Sequence, residues 1–235
     1  MQRVRFPSQG IQTMFAQIAG TYDLLNDLQS LGLHRYWRRR AVGWSGVQQG
    51  MAVLDCACGT GDLALAFLRA VGPKGRVEAT DFCAPMVALA RRKARLQGAT
   101  VAFRVEDAAR LSSPDGAFDV ASVAFGIRNM DDPVAALKEM ARVVRPGGTV
   151  VVLEFGRPAG SFGAAYEAVS RFWMPFWGQL VARHRAAYTY LPQSAAAFPC
   201  RDAFLALMGE AGAFTKCRYR TLAFGAVYVY LGRVV

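Results

Sequence analysis

Residues 53–66 read VLDCACGTGDLALA: an apolar run, an acid, a Gly-rich turn and then apolar residues at helical spacing. The pattern predicts a buried strand that turns sharply into a helix. Such a turn lets a ligand approach the free N–H groups at the start of the helix. Ala57 stands where the turn usually has glycine, between two cysteines. The segment is therefore a cofactor loop with one glycine replaced, a cysteine-based metal or redox site, or a turn without a ligand.

Strand and helix patterns alternate along the chain on both sides of this turn. Regular alternation predicts a Rossmann-like α/β fold, a doubly wound and mostly parallel sheet with helices on both faces. Near the end of the chain, two more strand patterns meet at Gly225, which predicts a closing antiparallel pair. Strands are predicted at 51–57, 75–82, 100–108, 118–127, 149–155 and within 216–234, and helices at 61–72, 84–98 and 131–144.

The two flanks of this α/β region have helical patterns. Residues 9–42 are predicted to be helical throughout, and 161–185 form an aromatic-rich helical region interrupted by Pro175. Helical layers of this kind typically cover the carboxyl ends of the strands, where doubly wound folds bind ligands. We therefore predict a helical lid at 1–50 and a main domain at 51–235 with a helical insertion at about 158–195.

The bulk composition limits the cellular setting. The chain has 235 residues, which suits one α/β domain with a lid, and its first ten residues lack the apolar core of a secretory signal. The five cysteines are odd in number and irregularly spaced, as expected of a reduced, cytoplasmic protein. The net charge is +11, and most of the excess lies in residues 1–50 and 157–235. Basic flanks attract nucleic acid, anionic lipid or an acidic substrate, although a merely soluble basic surface is the plainer interpretation.

The order of residues in the turn distinguishes between kinds of cofactor. Asp55-x-Ala57-x-Gly59-Thr60-Gly61 does not have the G-x-G-x-x-G spacing of dinucleotide loops. It resembles the acid-x-G-x-G-x-G pattern of S-adenosylmethionine-dependent methyltransferases, with alanine at the first glycine. We expect alanine to be tolerated there if its backbone stays outside the left-handed region that favours glycine.

Two acids at the ends of the next strands support this interpretation. Asp81 ends the second strand, where a carboxylate can accept both ribose hydroxyls, and Asp107 ends the third, where one can accept from the adenine amino group. Ala108 lies beside that acid, and Phe82 and Met86 are predicted to pack on the adenine. The alternative is that both acids are solvated loop residues.

A metal site at Cys56 and Cys58 is the weaker interpretation. Zinc needs three or four ligands, and no set of Cys or His partners lies nearby, since the only histidines are His34 and His184. We expect no metal and interpret both cysteines as small apolar residues beneath the turn.

Several further segments, in order, resemble the ubiquinone/menaquinone biosynthesis C-methyltransferase family. They are MFAQIAGTYDLLNDLQSLGLHRYWRR at 14–39, FGIRNMDDPVAALKEMARVVRPGGTVVVLEF at 125–155, YTYLPQSAAAFP at 188–199 and GAVYVYLG at 225–232. In the first, Tyr22, Asp23, Asn26, Ser30, His34 and Trp37 occupy matching places. One departure is Ala124, where the family often has a serine before Phe-Gly.

The resemblance implies a class I S-adenosylmethionine-dependent methyltransferase fold, S-adenosyl-L-methionine as cofactor, and methyl transfer to a ring carbon of a prenylated quinol. Demethylmenaquinol is favoured over the ubiquinone precursor as that substrate. The implied cofactor-binding residues are Asp55, Ala57, Gly59, Thr60, Gly61, Asp81, Phe82, Met86, Asp107, Ala108 and Ala124.

The catalytic hypothesis centres on the segment after the fourth strand. Arg128, always cationic, would lower the pKa of a quinol hydroxyl or a bound water. Asn129 would fix the ring, and Tyr22 would orient substrate or cofactor from the lid. The alternative for Arg128 is a salt bridge to a nearby acid. His34 is a second candidate base, but beside Trp37 in a helix it is also expected to be packed.

Aromatic residues are the candidates for contact with the prenyl tail. A plain buried helix would explain those at 172–177 almost as well. Aromatic side chains near a basic flank also suit peripheral contact with an anionic membrane, and a homodimer is a further expectation. The predicted substrate-binding residues are His34, Trp37, Phe125, Phe172, Phe176 and Tyr188.

Two rival classes remain open. A nucleic-acid methyltransferase would suit the positive charge, but the segment after the fourth strand reads AFGIRNMDDP at 124–133 and not Asn/Asp-Pro-Pro-aromatic. With no RNA-binding module in the sequence, we expect no nucleic-acid partner. A non-catalytic cofactor-binding protein would be expected to have lost Arg128 and the lid motifs, and both are present.

Overall fold

Seven strands and seven helices form the part of the chain that the structure describes. The structure is a computed structural model, which describes residues 8–158, 163 and 193–235. The strands are β1 Ala52–Cys56, β2 Arg76–Asp81, β3 Ala102–Val105, β4 Phe118–Ala124, β5 Val144–Phe155, β6 Phe214–Leu222 and β7 Val227–Val234. The helices are α1 Ser8–Ile18, α2 Tyr22–Ser30, α3 Leu33–Trp44, α4 Asp62–Val71, α5 Ala84–Leu96, α6 Pro133–Arg142 and α7 Asp202–Glu210.

The strands form one sheet in the order β3-β2-β1-β4-β5-β7-β6. The first five strands are parallel, whereas β7 runs antiparallel to both β5 and β6. The predicted closing antiparallel pair is confirmed, and a short 3₁₀ turn at Ala223–Gly225 connects its strands. The alternating pattern therefore predicted both the class of sheet and its antiparallel end.

The fifth strand is longer than its sequence pattern. It begins at Val144, which pairs with Phe118, and it contains the Arg-Pro-Gly-Gly segment that we expected only to end a helix. The register shifts between Phe118 and Val120. Gly148 permits the kink, because a Cβ there would lie 2.6 Å from the backbone oxygen of Asp119. The strand is extended by pairing with β4, which the local sequence does not reveal.

The N-terminal helical region is divided and not continuous. A 3₁₀ turn at Ala19–Thr21 separates α1 from α2. Leu31 and Gly32, both with positive φ, reverse the chain between α2 and α3. The third helix packs into the main core through Trp37, Ala41 and Val42.

Helices cover both faces of the sheet. One apolar cluster lies on the face shared with α3, α4 and α5, and the other lies on the face shared with α6 and α7. Neighbouring residues of β1 illustrate the two faces, since Val53 and Leu54 are each fully buried but belong to different clusters. Among the described residues, no helix combines the length and the apolar character needed to cross a bilayer. Most of the predicted insertion at 158–195 lies outside the described residues.

Candidate cofactor and active site

The turn after β1 has a compact backbone. Its glycines at 59 and 61 have φ of 56° and 86°, and the N–H of Cys58 donates to the carbonyl of Thr80 on β2 (2.9 Å). Our expectation for Ala57 is wrong, because its φ is 48°, inside the left-handed region. That conformation costs an L-residue about 1–2 kcal/mol. The neighbouring chain leaves room for the methyl group, since a Cβ on Gly126 would lie 2.7 Å from the Cβ of Ala57.

Asp81 links this turn to the end of β2. Its Oδ2 accepts the N–H of Gly59 (2.8 Å) and its Oδ1 accepts the N–H of Cys83 (2.9 Å). Burial raises the pKa of the Asp81 carboxyl, and the two backbone hydrogen bonds oppose that shift. A carboxylate has about four lone-pair positions, so each oxygen has capacity for a ribose hydroxyl in addition.

A cleft opens above the turn at the carboxyl ends of β1 to β4. It encloses about 730 Å³, including the space open to solvent. Ten of the predicted site residues line it: Tyr22, Ala57, Gly59, Phe82, Met86, Asp107, Ala108, Ala124, Phe125 and Asn129. Residues that the sequence reasoning missed also line it, namely Phe15, Glu106, Gly126, Met130 and Asp131.

One end of the cleft suits an adenosine. Phe15 and Tyr22 from the lid are in edge contact, with ring centroids 6.1 Å apart, and Phe82 and Met86 lie opposite in the same apolar group. The carboxylate of Asp107 closes this end and accepts the N–H of Ala109 (2.9 Å). Apolar walls with a small number of placed polar groups are typical of cofactor pockets.

Thr60 lies deeper than the cleft and joins the lid to the main domain. Its hydroxyl donates to Asp23 Oδ1 of α2 (2.5 Å), and Lys93 Nζ of α5 donates to Thr60 Oγ1 (3.1 Å). The same lysine forms ion pairs with Asp23 (2.5 Å) and Asp62 (2.7 Å). The threonine therefore helps to fix the lid on the cofactor turn.

His34 and Trp37 are packed against their neighbours and do not line the cleft. His34 Nε2 is 2.7 Å from Asp27 Oδ1, and burial is the main cause that lowers the pKa of its imidazole. Trp37 is 7% exposed, with its ring centroid 6.3 Å from that of Phe125. This geometry favours the packed alternative for His34.

Arg128 lies behind the cleft in a buried ion pair. Its Nη1 donates to Glu154 Oε1 (2.7 Å) and to the carbonyl of Phe125 (2.6 Å). The two charged side chains are 2% and 1% exposed. Burial raises the pKa of Glu154, and the charge of Arg128 opposes that shift. The salt-bridge alternative is therefore the observed one, and the guanidinium is not among the described groups that line the cleft.

The cysteines of the turn are apolar in character. Burial raises the pKa of the thiols of both Cys56 and Cys58, so neither is a reactive thiolate near neutral pH. Within residues 8–158 and 193–235, no group of His, Cys, Asp and Glu side chains is arranged to hold a metal ion. Phe172, Phe176 and Tyr188 lie outside the described residues.

Comparison with known proteins identifies the group to which this chain belongs. The model of the ubiE/COQ5 methyltransferase family matches residues 3–233. The chain belongs to the ubiE/COQ5 methyltransferase family. It is 49% identical, over 95% of both chains, to a ubiquinone/menaquinone biosynthesis C-methyltransferase of Bdellovibrio bacteriovorus. It is 46% identical, over 93% of this chain and 99% of the other, to a demethylmenaquinone methyltransferase of Thermus thermophilus.

Solved structures agree on the fold. An S-adenosylmethionine-dependent methyltransferase of Thermotoga maritima aligns with a TM-score of 0.66 over 95% of this chain and 99% of that one, at 20% identity. A magnesium protoporphyrin IX methyltransferase of Synechocystis with bound S-adenosylhomocysteine aligns with a TM-score of 0.58 over 86% and 84% of the two chains, at 17% identity. The family member described here has the class I methyltransferase fold, and it is an S-adenosylmethionine-dependent methyltransferase.

The cleft fits the cofactor of this family. Its small residues at 57, 59, 108 and 124 keep the floor open, and its carboxylate and apolar walls suit an adenosine. Phe15 was missed because an aromatic residue in an amphipathic helix has the same pattern whether it faces a core or a ligand.

Proposed function

We propose that this methyltransferase methylates a ring carbon of a prenylated quinol, with demethylmenaquinol as the favoured substrate. The single observation that carries the proposal is the Phe125–Asn129 segment, which adjoins the cofactor cleft and lies in the stretch most characteristic of the family. The relatives named as demethylmenaquinone methyltransferases, at 46% and 43% identity, support the choice of quinol.

The chemistry requires an electron-rich ring carbon beside the bound cofactor. When bound, S-adenosylmethionine supplies an electrophilic methyl group: the ring carbon forms the new C–C bond, the C–S bond breaks to leave S-adenosylhomocysteine, and the ring carbon then loses its proton. Loss of a quinol hydroxyl proton activates the ring. Because an anion then reacts with a cation, a cleft that excludes water favours the step.

The residues that line the cleft position the ring. Asn129 presents an amide and Tyr22 a phenol, and both can hydrogen-bond to a quinol oxygen. Phe125 offers an apolar ring surface between them. Arg128 acts indirectly, as a positioning residue, because its hydrogen bond to the Phe125 carbonyl holds the turn that carries Asn129. Correct placement of two reactants accounts for much of the rate enhancement in such transfers.

Product analysis tests this proposal. Purified protein would be incubated with S-adenosylmethionine and a short-chain demethylmenaquinol, a ubiquinone-precursor quinol or transfer RNA, and methylated products identified by mass spectrometry. We expect methylation of the naphthoquinol at the highest kcat/KM. Absence of quinol methylation by protein that binds the cofactor normally would overturn the assignment, and methylated RNA would support the rival class.

We further propose that a basic face of the protein contacts anionic membranes, where prenylated quinols reside. Trp44 of α3 lies between two guanidinium groups, those of Arg40 (4.5 Å to the ring centroid) and Arg220 (4.9 Å). Lys216 and Arg218 follow on the same face of the edge strand β6, opposite Arg233 and Leu231 of β7. Among the described residues, none of Arg40, Lys216, Arg218 and Arg220 forms an ion pair with an acid. These four residues with Trp44 are called the basic face below.

A further inference from the structure

A small polar compartment opens from the cleft on the side away from Asp107. Its own lining includes Arg38, Asp55, Thr60 and Asp62. Tyr22, Ala57, Gly59 and Ala124 line both spaces, so the compartment and the cleft are continuous. A ligand with its adenosine in the cleft would therefore extend past the Gly-rich turn into this compartment.

Asp55 presents an unsatisfied oxygen in this compartment. The residue is 1% exposed, and its Oδ1 accepts the hydroxyl of Ser122 (2.8 Å). Its Oδ2 is buried and has no hydrogen-bond partner among the described residues. Buried polar atoms are nearly always paired, because an unpaired one loses its hydration without compensation. The geometry therefore leaves a place for a hydrogen-bond donor, best a cationic one.

Arg38 presents the complementary charge. It is 8% exposed, and its hydrogen bonds are to its own neighbour in α3, His34, at the ring Nδ1 and at the carbonyl (3.4 Å). No carboxylate in the described residues lies within ion-pair distance of it, and Asp62 is already paired with Lys93. A guanidinium has five N–H donors, so most of those on Arg38 remain for a ligand. A buried cation without a paired anion is costly, which favours an anionic ligand group here.

We propose that this compartment binds the amino-acid end of S-adenosylmethionine, with its carboxylate on Arg38 and its ammonium group on Asp55 Oδ2. The inference rests on the cofactor of the family and not on the proposed quinol. A zwitterion satisfies both buried charges at once, and a guanidinium matches a carboxylate with two parallel hydrogen bonds. Arg38 thereby becomes a cofactor-binding residue that the sequence reasoning did not single out.

The proposal also gives a role to His34. Because Arg38 can only donate, His34 Nδ1 accepts, and the ring proton lies on Nε2, which donates to Asp27. The chain Asp27–His34–Arg38 fixes the guanidinium from behind. His34 is therefore a positioning residue for the cofactor, and not a contact of the quinol.

Binding measurements without any methyl acceptor test the inference. Calorimetry would compare S-adenosylhomocysteine with 5′-methylthioadenosine, which carries the adenosine and sulfur but no amino-acid end. For Arg38→Gln we expect affinity for S-adenosylhomocysteine to fall about 10–100-fold, the loss typical of a charged hydrogen bond, with affinity for methylthioadenosine unchanged. Arg39→Gln, at an exposed neighbouring position, should bind both ligands as the wild type does.

Two further variants keep the test decisive. Asp55→Asn should show the same selective loss, and Arg38→Lys should retain part of the affinity because it keeps the charge without the planar fork. If Arg38→Gln is unstable, the lysine variant gives the comparison. Equal weakening of both ligands, or weakening of neither, would overturn the proposal. Since no quinol is present, failure here is distinguishable from failure of the proposed substrate.

Discussion

Ala57 shows how a single methyl group is accommodated at the cofactor turn. The left-handed backbone at φ 48° is tolerated because residue 126 is glycine. Gly126 itself has φ −110°, so a side chain there would meet steric contact and not backbone strain. The family turn therefore accepts alanine through a neighbour that is 69 positions away.

This pairing makes a testable prediction. Gly126→Ala should lower the free energy of unfolding by about 1–3 kcal/mol, because its Cβ would overlap that of Ala57. Adding Ala57→Gly should restore most of the loss, since it removes the methyl group that the new one meets. Urea unfolding of the four proteins of the cycle measures the coupling. Additive effects would contradict the contact.

Asp55 leads to a pH dependence of stability. Burial is the largest cause that raises the pKa of its carboxyl to about 7, above the ordinary value of 3.8. The folded protein therefore binds an extra proton between those values, and the stability this gives is complete below pH 4. It is lost as pH rises towards 7, at up to about 1.4 kcal/mol per pH unit.

The comparison with Asp55→Asn isolates this effect. The amide cannot titrate, so the difference in urea midpoint between variant and wild type should change steadily from pH 4 to 7 and be constant above pH 8. A constant difference throughout the range would show that the carboxyl titrates normally in the folded protein.

At the scale of elements, β5 and the turn after β4 are joined by one buried ion pair. Arg128 and Glu154 are 26 residues apart and meet because β4 and β5 are neighbours in the sheet. The hydrogen bond from Arg128 to the Phe125 carbonyl then fixes the residues that border the cleft. No local pattern could identify the partner, since the segment contains several acids at similar separations.

Removal of this pair distinguishes stability from positioning. Arg128→Met alone should destabilise the protein by about 3–5 kcal/mol, because it leaves Glu154 buried without a countercharge. Arg128→Met with Glu154→Leu should recover most of that stability in thermal or urea unfolding. We expect turnover by the double variant to remain low while affinity for S-adenosylhomocysteine stays near normal. Full turnover would contradict the positioning role.

Element boundaries show what pattern reasoning can supply. The strand and helix after the Gly-rich turn begin and end within a residue or two of expectation, because apolar periodicity reflects burial on the sheet. The early start of β5 and the break at residues 31–32 were not predicted. Both depend on backbone pairing or on positive φ, which ordinary side chains signal weakly.

At the scale of the whole molecule, the excess positive charge has one organised surface among the described residues. The basic face lies on α3 and β6, next to a groove at the amino edge of the sheet, away from the cofactor turn. A guanidinium–indole–guanidinium stack of this kind suits the boundary between headgroups and acyl chains.

Vesicle binding tests this surface. The protein should co-sediment with vesicles containing anionic phospholipid and not with neutral vesicles, and added salt should weaken binding because the attraction is screened. Arg218→Ser with Arg220→Ser should reduce binding several-fold, whereas Arg92→Ser on an exposed part of α5 serves as the matched control. Equal loss in both variants would indicate net charge alone, and would contradict a localised face.

The sequence by itself determined the α/β alternation, the cofactor turn, the acids that follow β2 and β3, and the family, because these features are encoded in local periodicity and in ordered motifs. The tertiary structure decided which charges meet. It paired Arg128 with Glu154, and it brought Arg38 of α3 to the same compartment as Asp55 of β1. It also placed Ala57 in a left-handed backbone against Gly126. Such partners are distant in sequence and are selected by strand order and helix packing, so only the folded chain specifies them.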